Sequence, residues 1–157
     1  MNWVIRSTKT VKFHTNLHEI LKPIWNDLTS YNWNISDLYF LSDSDIPISF
    51  EQDFFILDHQ QFEQIYNSRT QIIWGIMAAI PGNTEPDVTL ISTLYADDSR
   101  VWEPNHIFVR ESMLEITAFD SGYTIVKFKD QDLSDKFKDY FQEQAIELQK
   151  FNEKYIN

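Results

Sequence analysis

The stretch Thr70-Gln-Ile-Ile-Trp-Gly-Ile-Met-Ala-Ala-Ile80, TQIIWGIMAAI, is apolar at successive positions, so both faces of an extended chain would be greasy there. A strand with one wet face alternates, and this one does not; it predicts a central strand covered on both sides. Its apolar run, Ile72 to Ile80, falls far short of the roughly 20 residues a membrane span requires. Downstream, "PGNTEPD" is turn-rich and Val88–Tyr95 reads as a further strand. The loop "ADDSRVWEPN" then leads to an extended piece, Ile107–Arg110. Met113–Phe119 and Tyr123–Lys129 flank "DSG" as a hairpin.

Upstream of the central stretch, Trp3 and Ile5, then Val11 and Phe13, alternate as short strands. Thr15 is placed to cap a helix whose apolar stripe is Leu17, Ile20, Leu21, Ile24, Trp25 and Leu28. Pro23 lies off the stripe but removes a backbone donor and should kink or divide that helix. Trp33–Phe40 reads as a strand with Trp33, Ile35, Asp37 and Tyr39 on one face, and Phe54–Leu57 as another. Asp58 caps a short helix, with Gln61 in the capping-box position and Phe62, Ile65 and Tyr66 inward. A long helix from about Leu133 to Tyr155 closes the chain. The expectation is a single domain, 1–157, of class α+β. A largely antiparallel sheet carries an N-terminal helix, a short middle helix and a long C-terminal helix, packed mainly on one face.

The 157 residues carry 13 basic and 24 acidic side chains, a net charge of −11, and no cysteine. The missing cysteine excludes a disulfide framework, a thiolate metal site and a cysteine nucleophile. Between Pro23 and Ser99 stands one base, Arg69, against twelve acids, so this segment holds the whole net charge and the flanks are neutral. Nucleic acid and anionic membranes are disfavoured partners, because phosphate contacts need clustered Lys and Arg. The N-terminal MNWVIRSTKT carries no signal-peptide core, and a cytoplasmic location is expected.

Catalytic and metal motifs fail one by one. Asp43-Ser-Asp45 opens like a calcium loop, but Ile48 and Phe54 stand where Gly and Glu are required. His14 and His18 are four apart, yet a cap at Thr15 separates them and no third ligand is evident. Asp58-His59 and Asn105-His106 offer bases near carboxylates without a nucleophile elbow, P-loop or dinucleotide fingerprint. No metal, cofactor or catalytic residue is assigned. "YADDSRVWEP" is different: it sets Asp97, Asp98 and Glu103 beside Tyr95 and Trp102. Aromatic anchors among charges are what interface hot spots use. Trp102 is either such an anchor or a plug that fixes its loop to the domain.

Three stretches, "ILKPIWNDLTSYNWNISDLYF", "TQIIWGIMAAIP" and "MLEITAFDSGYTIVKFKDQDLSDKF", resemble an uncharacterised family of small single-domain bacterial proteins. By class, the chain is similar to bacterial toxin-immunity proteins: small, acidic, cysteine-poor α+β domains. The resemblance implies a binding protein that neutralises a basic partner such as a toxin nuclease, with no functional residue carried over. From the charge pattern, Asp43, Asp45, Glu51, Asp53, Asp97, Asp98 and Glu103 are the expected contacts, with Tyr95 and Trp102 as anchors. The alternatives are a small, metal-dependent enzyme using His14, His18 or His106, and a scaffold subunit.

Overall fold

In a computed structural model, residues 1–6 and 15–156 are described. The expected strand at Val11 and Phe13, and His14, lie outside them. One seven-stranded antiparallel sheet runs in the order β3-β2-β4-β5-β6-β1-β7. The strands are β1 (Asn2–Arg6), β2 (Tyr31–Leu41), β3 (Phe54–Leu57), β4 (Gln71–Pro81), β5 (Leu114–Phe119), β6 (Tyr123–Phe128) and β7 (Ile146–Glu147). The helices are α1 (Leu17–Leu21), α2 (His59–Tyr66), α3 (Val88–Ile91), α4 (Gln131–Phe141) and α5 (Leu148–Tyr155). Among the described residues, no helix is long and apolar enough to cross a membrane.

β4 sits between β2 and β5, as its sequence requires. Met77 and Ala79 enter one apolar cluster; Ile76, Ala78 and Ile80 enter the other. The expectation that helices cover mainly one face is therefore corrected. Residues of α1, α2 and α4 pack on one face, while α5 and the segment between β4 and β5 pack on the opposite one. A central strand apolar on both sides exposes greasy surface unless both sides are covered.

The long C-terminal helix is also corrected: it is two helices. Gln142, at φ 53, turns the chain, and the Lys138 ammonium donates to the carbonyls of Gln142 and Ala145 at 2.6 and 2.8 Å. Left-handed backbone is costly for a residue with a Cβ, and these two bonds hold the turn. β7 then pairs with β1 before α5 begins. Phe137 and Phe141 consequently fill one cluster, and Leu148 and Phe151 the other.

Three local readings shift as well. Asn16, not Thr15, caps α1, accepting from the amides of His18 and Glu19. Thr15 instead bridges to Ile72 and hydrogen-bonds Thr124 at 2.8 Å. Pro23 does end the first helix early, and only a 3-10 turn at Trp25–Asp27 follows. Val88–Tyr95 is not a strand: Asp87 accepts from the Leu90 amide at 3.1 Å and starts α3. Ile107–Arg110 is not a strand but a bend that leads into a turn at Arg110, because the amides of Phe108 and Val109 are taken by the Glu115 carboxylate.

The capping box of α2 forms as expected, with Asp58 accepting from the Gln61 amide at 2.8 Å and Gln61 returning to the Asp58 amide at 2.9 Å. Asp58→Ala should cost about 1 kcal/mol. Urea unfolding reads this directly, and a midpoint unmoved from wild type would mean that tertiary packing alone holds the helix start.

Candidate functional site: an acidic, aromatic cleft

The site begins with a bulge in β2. Ser36 pairs with Ile76 and Tyr39 with Trp74, so β2 advances three residues while β4 advances two. Asp37 takes the extra step at φ 52. Within β2 the extra residue exchanges the faces that follow it, and β4 answers with an extra step of its own between Trp74 and Ile72, so the register is restored at Phe40. Trp33 and Ile35 point into the core beneath α1 and α2; beyond the bulge Leu38 and Phe40 do so, and Tyr39 is left 56% exposed. The single face expected for Trp33, Ile35, Asp37 and Tyr39 is therefore divided at Asp37.

Two loops close on this bulge. The Asp37 carboxylate accepts from the Ala96 amide at 2.8 Å and holds the segment after α3 against β2. Phe50 stacks on Phe40, with centroids 4.6 Å apart and planes 6° from parallel, which holds the segment before β3. Between them lies a cleft of about 320 Å³ lined by Asp37, Leu38, Tyr39, Phe50, Gln52, Asp53, Ser92, Leu94 and Tyr95. Phe50 is 72% and Tyr95 62% exposed, so Phe50 is not sunk in the core as Phe55 of β3 is. Burial pushes the Asp37 carboxyl above the usual carboxylate range, the Ala96 amide opposes this, and the charge of Asp97 adds to it.

The expected contact residues separate into two groups. Asp53 and Tyr95 line the cleft, and Asp97 acts on Asp37 from its rim. Glu51 is exposed on the same segment, as are Asp43 and Asp45 at its start. Asp98 is engaged within its own chain. It accepts from the Arg100 amide at 2.9 Å and pairs with the guanidinium at 2.7 Å, which holds its carboxyl down at about 2. Trp102 is the plug: its ring stacks on Phe151 at 5.5 Å and meets Phe119 and Tyr123 edge-on. Glu103 is exposed, and its carbonyl serves the buried pair described below.

Sequence reasoning missed Asp37, Tyr39 and Phe50 as partners of Asp53 and Tyr95. The alternation of β2 pointed Asp37 and Tyr39 together, but no residue there announced a bulge.

The three described histidines stand singly among aromatic rings. His18 stacks on Tyr66 at 4.5 Å, His59 lies against Trp25 at 4.7 Å, and His106 meets Phe108 edge-on. Burial, with Arg100 and Lys127 nearby, holds His106 below its ordinary value. Among the described residues, no three histidine or carboxylate side chains gather as metal ligands would.

A second feature absent from the sequence reading lies on the face opposite α1 and α2. Glu115 and Lys127 are direct cross-strand neighbours on β5 and β6, and both are buried. Glu115 accepts from the amides of Phe108 and Val109. The Lys127 ammonium donates to the carbonyls of Glu103 and His106 at 2.9 and 2.8 Å, and more distantly to Arg100. Burial pushes Glu115 up and Lys127 down, to about 8, each opposed by the other's charge. The two side chains clamp residues 100–109 to the sheet. No family model, no curated protein and no solved structure matches this chain.

Proposed function

We propose that this chain is a binding protein whose acidic cleft seats a cationic group of a basic protein partner, acting in the cytoplasm as an immunity-type inhibitor of a toxin such as a nuclease. The observation that carries the reading is Asp37. A carboxylate held at a left-handed backbone position, partly desolvated and beside a second carboxylate, costs stability on its own. A guanidinium or ammonium entering the cleft offsets that cost, because it supplies the opposite charge the site lacks. Tyr39, Phe50 and Tyr95 supply ring faces and edges around the cation, and such contacts are worth most where water is excluded.

The long-range charge fits the same reading. A nuclease needs a positive cleft to draw in phosphate, and an inhibitor carrying −11 is steered towards it. Used as bait in an extract of its own cells, the wild-type chain is expected to retain a basic protein, to suppress its nuclease activity, and to release it as salt rises. From about 0.1 M to about 1 M the screening length falls from about 10 Å to about 3 Å. Retention that is unchanged across that range, or a retained partner that is itself acidic, would contradict the proposal.

A further inference from the structure

The two edges of the sheet are guarded very differently. β7 is two residues long and runs straight into α5, a common way to blunt an edge. β3 is the other edge, and among the described residues it pairs only with β2. Its sequence, Phe-Phe-Ile-Leu, carries no charge and no proline, and its register with β2 is unbroken from Phe54 to Leu57. Such an edge presents free amides and carbonyls to any extended chain that approaches.

A groove of about 500 Å³ follows this edge, lined by all four residues of β3 with Pro47 and Gln61. Phe55 and Leu57 turn into the core, while Ile56 is 39% exposed. The groove also includes Gln52 and Asp53, which line the acidic cleft. Edge groove and cleft are therefore neighbours, with Gln52 and Asp53 common to both.

We propose that an extended, basic segment of a protein partner adds to β3 as an eighth strand, its backbone bonding the free edge and its cationic side chains reaching Asp53 and the cleft. The inference rests on the reading of the chain as a binder of a basic partner. Charge selects the occupant. Glu51, Asp53 and Asp58 flank β3, and the nearest base in sequence is Arg69. A second copy would bring the same three carboxylates and the same net charge of −11 to this edge, and like charges repel. A basic strand meets attraction at the same positions. Strand addition takes its affinity from main-chain bonds and its specificity from alternate side chains, which matches an edge beside an acidic pocket.

The test titrates the ¹⁵N-labelled chain with a short peptide alternating arginine and valine, and with the same peptide N-methylated on every other residue in either phase. The amides of Phe54–Leu57 are expected to shift saturably, and those that point away from β2 to gain exchange protection of about tenfold or more. At least one methylated peptide should bind about tenfold more weakly, since its charge is intact and only its edge bonds are lost. Equal binding by all the peptides, or shifts confined to Asp37, Tyr39 and Tyr95, would overturn strand addition while leaving the cleft reading standing. Absence of saturable binding by every peptide would overturn both. A dimer seen by sedimentation, with β3 protected before any peptide is added, would give the edge to a second copy and overturn the proposal.

Discussion

Lys127→Met is expected to destabilise the fold by about 2–3 kcal/mol, the cost of leaving buried carbonyls without their charged donor. Methionine preserves most of the stem's packing, so the loss is polar in origin. The carbonyls of Glu103 and His106 lose their donor, and Glu115 keeps its buried carboxylate without the facing charge. Against a total stability of about 5–15 kcal/mol for an ordinary domain, that is a large fraction. The damage should begin in residues 100–109, where exchange at the Phe108 and Val109 amides reports it first. Adding Glu115→Gln to this variant should cost less than the two single changes summed, because the partners share one interaction. A Lys127→Met protein with the wild-type urea midpoint would show that the clamp contributes nothing.

Asp37→Asn should have the opposite profile. Asparagine keeps an oxygen for the Ala96 amide and tolerates positive φ better than most residues, so the bulge is retained. The sign of its effect on stability follows from linkage. Burial raises the folded pKa of Asp37 above its unfolded value, so the folded chain binds the proton more tightly. Stability from this group is present below the unfolded pKa and falls as pH rises through the folded one; at neutral pH the charge is a liability. The amide removes that liability, and stability at pH 7 should hold or rise. Affinity for the basic partner should fall by about 2 kcal/mol or more, roughly thirtyfold, because a cation in the cleft loses its closest carboxylate. Equilibrium unfolding and a binding isotherm on the same sample check both halves. Unchanged affinity would remove Asp37 from the site, and a marked loss of stability would make it structural.

How far the sequence reveals this protein depends on whether the deciding signal is local. TQIIWGIMAAI specified a two-sided central strand without ambiguity, because its pattern lies within one element. Asp58 and Gln61 marked the start of α2 because a capping box closes within four residues. Gln142 gave no warning of a break, since neither glycine nor proline stands there and the apolar spacing runs on across it; Lys138 enforces the turn from one helical turn away. Val88–Tyr95 has strand-like composition, yet one carboxylate at Asp87 started a helix. The cleft was half visible. Its acids were evident, whereas its geometry depends on a bulge at Asp37 and on Phe50 stacking over Phe40, contacts that join β2 to two separate loops. Trp102 shows the converse: an aromatic among acids read equally well as anchor or plug, and only its neighbours Phe119, Tyr123 and Phe151 decide for the plug.

The central claim, an acidic cleft that seats a cation from a basic partner, is tested most directly by the association rate of the captured partner with the wild-type chain and with Asp53→Lys/Asp97→Lys. Those two carboxylates are exposed, and Asp53 lines the cleft while Asp97 acts on it from the rim, so the changes leave the core untouched. For the wild type the rate should fall steeply with added salt, by about tenfold or more as steering is screened. For the double variant it should start low and respond weakly. Equal rates for the two chains, with the same salt dependence, would contradict the account.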